Sequence, residues 1–145
     1  MYSSMYHKVM VAYVNNHAGH KALYEAINIA RLHSSALCVV HVTSTEDESK
    51  QEKGVLLLEQ VKTSIDSELS VETRLLTADP VYGLSGVADA IVMAAEEWDA
   101  SLLVLGTNNR RGLKLFVVGS VAESIINKVE ASVLLVSSQF HLSVL

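Results

Sequence analysis

A single cysteine excludes an intrachain disulfide and a cysteine-based zinc site. It is Cys38, and its place inside the apolar run Ala36-Leu-Cys-Val-Val40 marks it as a small core residue rather than a reactive thiol. Proline is as scarce: Pro80 stands alone, and with Gly83 and Gly86 it marks residues 78–86 as a loop. Basic residues are few, 11 Lys and Arg against 16 Asp and Glu, for a net charge of −5. That balance argues against general nucleic-acid binding and against a polybasic membrane anchor. No apolar run approaches the roughly 20 residues that a membrane span needs, so no membrane insertion is expected. The start, Met1-Tyr-Ser-Ser-Met-Tyr-His-Lys8, is polar and lacks the apolar stretch of a signal peptide. These absences lead us to expect a soluble, cytoplasmic protein. What is present is hydrophobic residue: half of the 145 positions, enough to bury a substantial core in one domain. We take residues 1–145 as that domain, with a core over about 7–138 and a tail at 139–145.

The apolar pattern alternates between two periods. Lys8–Val14 and Ala36–Val42 are short runs rich in β-branched residues and read as buried strands. Between them, Ala22, Leu23, Ala26, Ile27 and Ala30 fall at helical spacing, so 18–33 reads as a helix that Ser34-Ser35 ends. The polar stretch Thr43–Lys53 reads as an exposed connection, its acidic cluster a solvated surface. A helix over about Gly54–Leu69 carries Leu57, Leu58, Val61, Ile65 and Leu69 on one face. Ser70–Thr77 alternates and reads as a strand near the sheet edge. Val87–Trp98 is helical, with Trp98 closing its inner face. A strand at 101–105, a helix from Ser120 to about Lys128 and a strand at 132–136 complete the chain. The order β-α-β-α-β-α-β-α-β with continuous apolar strands predicts an α/β fold, a doubly wound five-stranded parallel sheet covered by helices on both faces. In such sheets, ligands sit outside the carboxyl ends of the strands at a topological switch point.

One segment lies at such an end: Gly106-Thr-Asn-Asn-Arg-Arg-Gly112-Leu-Lys-Leu-Phe-Val-Val-Gly119-Ser120. A glycine-containing loop between a strand and a helix N-terminus can hold an anion on its backbone N–H groups, and Arg110, Arg111 and Lys114 add positive charge. The same residues have a plain scaffold reading. Gly106 can make a tight turn, and Ser120-Val-Ala-Glu123 has the pattern of a capping box. His17 and His20 have helical spacing but no third ligand, so they read as surface histidines. His41 reads as a packed or hydrogen-bonded residue at the core edge. No nucleophile, base and orienter stand together, and no Gly-Lys-Ser/Thr ending places a lysine on phosphates. We therefore assign no catalytic residue and no metal site.

The order of elements together with this loop resembles the universal stress proteins of the small, single-domain type, from Lys8 to Ser137. Nucleotide-binding members carry Gly-x2-Gly-x9-Gly-Ser/Thr after the fourth strand, and Gly106 and Gly119-Ser120 match its ends at the same spacing. Asn109 stands where the family has its second motif glycine, and Val14 where the family has an acidic residue that meets the nucleoside. The resemblance implies a stress-response binding protein that holds ATP or another adenine nucleotide, with Mg2+ accompanying it. It implies that Gly106, Asn109, Gly119 and Ser120 contact ribose and phosphates and that Val121 adds a helix N–H. It further implies that the backbone of Val42 meets an adenine edge and that Leu105 lines the pocket floor. It also implies a homodimer through the last strand, about Ser132–Ser137. Two alternatives stand beside it: a dimeric interaction protein that docks an unknown protein partner over a degenerate loop, and a weak ATP hydrolase.

Overall fold

Five apolar runs become five strands: β1 (Lys8–Ala12), β2 (Ala36–Ser44), β3 (Val71–Ala78), β4 (Leu102–Thr107) and β5 (Ser132–Ser137). Between them run α1 (His17–His33), α2 (Glu48–Ser64), α3 (Gly83–Trp98) and α4 (Ser120–Ile126). The computed structural model describes residues 5–65, 67–107 and 119–137. Every strand pair is parallel, in the order β3-β2-β1-β4-β5. This is the expected doubly wound sheet. Among the described residues, no helix is long and apolar enough to cross a membrane.

Alternate residues of each central strand feed two cores. Val9, Val11, Leu37, Val39, Leu102 and Val104 face α1 and α2, whereas Met10, Cys38, Val40, Leu103 and Leu105 face α3 and α4. Both sets are 5% exposed or less, as the near-continuous apolar runs of a parallel sheet require. The inner stripe of α1 is made of small residues, Ala18, Gly19, Ala22, Ala26 and Ala30, which bring that helix close over the sheet. Cys38 is fully buried, and burial, with the Glu72 carboxylate second, pushes its thiol up to about 12. We expect iodoacetamide at pH 8 to leave Cys38 unmodified in the native protein and to alkylate it in guanidinium. Labelling at equal rates in both states would overturn that.

Several boundaries differ from the sequence reading, each for a local reason. α2 begins at Glu48, inside the stretch read as a connection, because the Asp47 carboxylate accepts the Lys50 amide at 3.0 Å and caps the helix. Its first two turns are mostly solvated, so they carry no apolar periodicity. Replacing Asp47 with alanine should lower stability by about 1 kcal/mol in urea denaturation; an unchanged midpoint would show that the cap contributes nothing. α3 starts four residues early, after a 3-10 turn at Pro80–Tyr82 in which Asp79 accepts the Val81 amide at 3.0 Å. β4 runs on to Thr107, so Gly106 belongs to a strand and not to a turn. The capping box at α4 does not form. Gly119 is the N-cap, its carbonyl takes the Glu123 amide at 2.9 Å, and Ser120 is already in the first helical turn, with no side-chain cap bond.

The amino end of the sheet is tied by polar contacts. Trp98 is buried, its indole N–H donates to Glu72 Oε1 at 3.0 Å, and Lys8 donates to the Trp98 carbonyl at 3.0 Å. Arg74 sits 2.9 Å from Glu72 Oε2 and holds that carboxyl below its ordinary range, with the indole N–H helping. This cluster lies at the opposite end of the sheet from the two larger cavities.

Candidate functional site

The chain leaves β1 outward to β2 and β3, then crosses back to β4 on the other side of β1. That reversal leaves a crevice above the carboxyl ends of β1, β2 and β4, the usual ligand position in such a sheet. A cavity of about 300 Å³ occupies it. Its floor comes from the strand ends Ala12–Val14, Val40–Val42 and Leu105-Gly106. Its walls come from Gly19 at the start of α1, from Val87 and Ile91 of α3 and from Val121 of α4.

Two glycines allow these elements to meet. A Cβ on Gly106 would stand 2.5 Å from the Ala18 carbonyl oxygen, and one on Gly19 would stand 1.7 Å from that of Val14. Both neighbours are backbone, so neither can swing aside. The N-terminus of α1 is fixed in turn by Asn16, whose Oδ1 accepts the Gly19 amide at 2.8 Å. Asn15 is engaged as well, with Oδ1 3.0 Å from His20 Nε2.

Among the described residues, no Asp, Glu, Lys or Arg lines this cavity. The lining suits a flat, largely apolar group such as a base. Its polar features are backbone groups, Asn16, Tyr13 and His41. Tyr13 is 4% exposed, and burial raises its phenol, which keeps it protonated at neutral pH. His41 Nδ1 lies 2.8 Å from the Tyr13 carbonyl. A carbonyl only accepts, so Nδ1 carries a proton and donates it. The half-buried, hydrogen-bonded place expected for His41 is the one found.

The structure brings together four of the residues singled out from the sequence: Val42, Leu105, Gly106 and Val121 all line the cavity. Gly119 and Ser120 are exposed at the start of α4 and are not part of its lining. Asn109, with Arg110, Arg111 and Lys114, lies outside the described residues. Sequence reasoning did not pick out Tyr13, Ile91 or Val87 as cavity residues. The last two carry a core signature, because a cavity wall at the top of a core has the same apolar periodicity as the core itself. His17 and His20 are exposed.

A second, larger crevice of about 700 Å³ opens beside the first, above β2 and β3 and between α2 and the start of α3. The two share Val14, His41, Val42 and Val87.

Known proteins agree with this architecture. A model of the universal stress protein family matches residues 5–137. A universal stress protein of Methanocaldococcus jannaschii is 26% identical over 148 aligned positions, which cover 92% of this chain and 83% of that protein. A solved universal stress protein in complex with cAMP has a TM-score of 0.68 at 22% identity, covering 92% of this chain and 98% of its own. The universal stress protein from Archaeoglobus fulgidus in complex with dAMP has a TM-score of 0.60 at 25% identity, covering 90% and 98%.

Proposed function

This chain belongs to the universal stress protein family, and from that premise we propose that it binds an adenine nucleotide in the cavity at the β1–β4 switch point. The observation that carries the reading is the convergence of Val42, Leu105, Gly106 and Val121 on one cavity of about 300 Å³ with an uncharged lining. The relatives solved with cAMP and dAMP support the choice of adenine. The base lies against Val42 and Leu105, and the phosphates run toward the segment that ends at Gly119-Ser120, where the first N–H groups of α4 have no partner within the helix. ATP with Mg2+ is the fullest form of this ligand, and Asn109 belongs to the segment that would hold its phosphates. The role is binding rather than turnover, in a cytoplasmic protein of the stress response. The last strand pairs with its counterpart in a second copy, which would cover an edge with the half-buried Val133, Leu134 and Leu135. A monomer by light scattering at micromolar concentration would exclude that dimer.

Titration calorimetry with AMP, cAMP and ATP–Mg2+ tests the site, with Val121→Trp as the blocked control. We expect saturable one-to-one binding that the tryptophan abolishes. No heat from any of the three at millimolar concentration would overturn the reading in favour of an interaction protein, for which Val14 in place of an acid is the specific motive.

A further inference from the structure

The larger crevice is not explained by a nucleotide. It borders the first cavity at Val14, His41, Val42 and Val87 but extends away from β4 and α4, toward β3 and α2. Its volume of about 700 Å³ is more than twice that of the nucleotide cavity and lies well inside the usual range for small-molecule sites. Large apolar side chains are exposed on both segments that wall it: Leu56 of α2 is 58% exposed, and Val81, Tyr82 and Leu84, beside the lining residues Pro80 and Gly83, are 60–76% exposed. Exposed apolar surface gathered round one concavity marks a binding site more often than a solvated face.

The polar groups are as localised. Lys50 and Lys53 stand three residues apart on α2, on one face of the helix, and both line the crevice. Neither ammonium has a hydrogen-bond or ion-pair partner among the described residues. Among the described residues Asp79 is the single acidic one in the lining, and its Oδ1 accepts the Val81 amide. The lining therefore carries a net positive charge in a chain whose total is −5.

We propose that this crevice is a second ligand site, for a small organic anion with an apolar body, a carboxylate on a medium-length hydrocarbon. Its charge lies at Lys50 and Lys53, and its body lies on Leu56, Leu57 and Pro80, which line this crevice and not the first cavity. The lysine stems extend the apolar wall while their ammonium groups meet the anion. The site stands whether or not the neighbouring cavity takes a nucleotide.

Decanoate is the probe, with decanol as its uncharged counterpart, titrated calorimetrically into the intact protein and into a variant carrying Lys50→Met and Lys53→Met. Methionine keeps the apolar stem and removes the charge, and both positions are exposed, so the fold is preserved. We expect one decanoate per chain, bound about tenfold more weakly by the double variant, as loss of two exposed ion pairs implies. Decanol should bind both proteins equally. Saturating AMP should leave the decanoate stoichiometry at one. Absence of decanoate binding, equal decanoate affinity in the double variant, or complete displacement of decanoate by AMP would each overturn the proposal. The AMP titration without decanoate reports on the nucleotide cavity alone, so failure of one site is read separately from failure of the other.

Discussion

Gly19→Ala is expected to destabilise the protein by about 3 kcal/mol or more, seen as a fall in Tm of roughly 10 °C. Helix propensity points the other way, because alanine is better than glycine inside a helix by about 1 kcal/mol. Geometry decides between them. A Cβ at position 19 would stand 1.7 Å from the Val14 carbonyl oxygen and 2.7 Å from its carbon. That carbonyl also accepts the Asn16 amide at 2.8 Å, and Asn16 in turn caps α1 through the Gly19 amide. Relieving the contact therefore moves the cap as well. Thermal and urea unfolding measure the outcome, and a Tm that holds or rises would show that the turn yields and propensity wins. Gly106→Ala should act in the same direction, since its Cβ would stand 2.5 Å from the Ala18 oxygen. Gly119→Ala should cost within about 1 kcal/mol, the value of an N-cap exchange, because no described residue lies within 4 Å of a Cβ there. The two ends of the glycine motif thus do different work. Gly106 is a glycine because a helix passes over it, whereas no described residue places such a demand on Gly119.

This division explains what was legible beforehand. The parallel sheet could be read because each buried strand is a continuous apolar run and each helix carries a 3.6-residue stripe; those signals come from the core, which the sequence writes directly. The starts of α2 and α3 could not be read the same way. One begins in a solvated polar stretch held by the Asp47 cap, and the other begins in a Pro- and Gly-bearing segment that looks like a loop until Asp79 turns it. The site was half legible. Gly106 follows from position at a strand end, and Val42, Leu105 and Val121 came through the family pattern. The crevice over β2 and β3 left no motif, because its lysines look like any solvated pair on a helix and its apolar rim like scattered surface residues. The fold alone brings them to one place.

Val14→Asp is expected to tighten binding of ribonucleotides by about 10- to 100-fold, the value of a charge-assisted hydrogen bond to a sugar hydroxyl. Position 14 lies just past the end of β1, lines the cavity and is 53% exposed, so a carboxylate there stays hydrated in the free protein and carries little burial cost. The native valine offers no acceptor. Neither neighbouring asparagine replaces it without loss: Asn16 would have to release the Gly19 amide and uncap α1, and Asn15 would have to leave His20. A native site of this kind grips the base and leaves the sugar hydroxyls to solvent, so its affinity should differ little between AMP and the 2′,3′-dideoxy analogue. In the aspartate variant the two ligands should separate, with AMP gaining and the dideoxy compound not. Equal gains would point to a general electrostatic or stability effect, and no gain would place the sugar elsewhere. A loss for both would mean that phosphates, not hydroxyls, lie near position 14, because a carboxylate repels them. The direction of the change thus reports the orientation of the nucleotide, the feature on which a polar contact at position 14 depends.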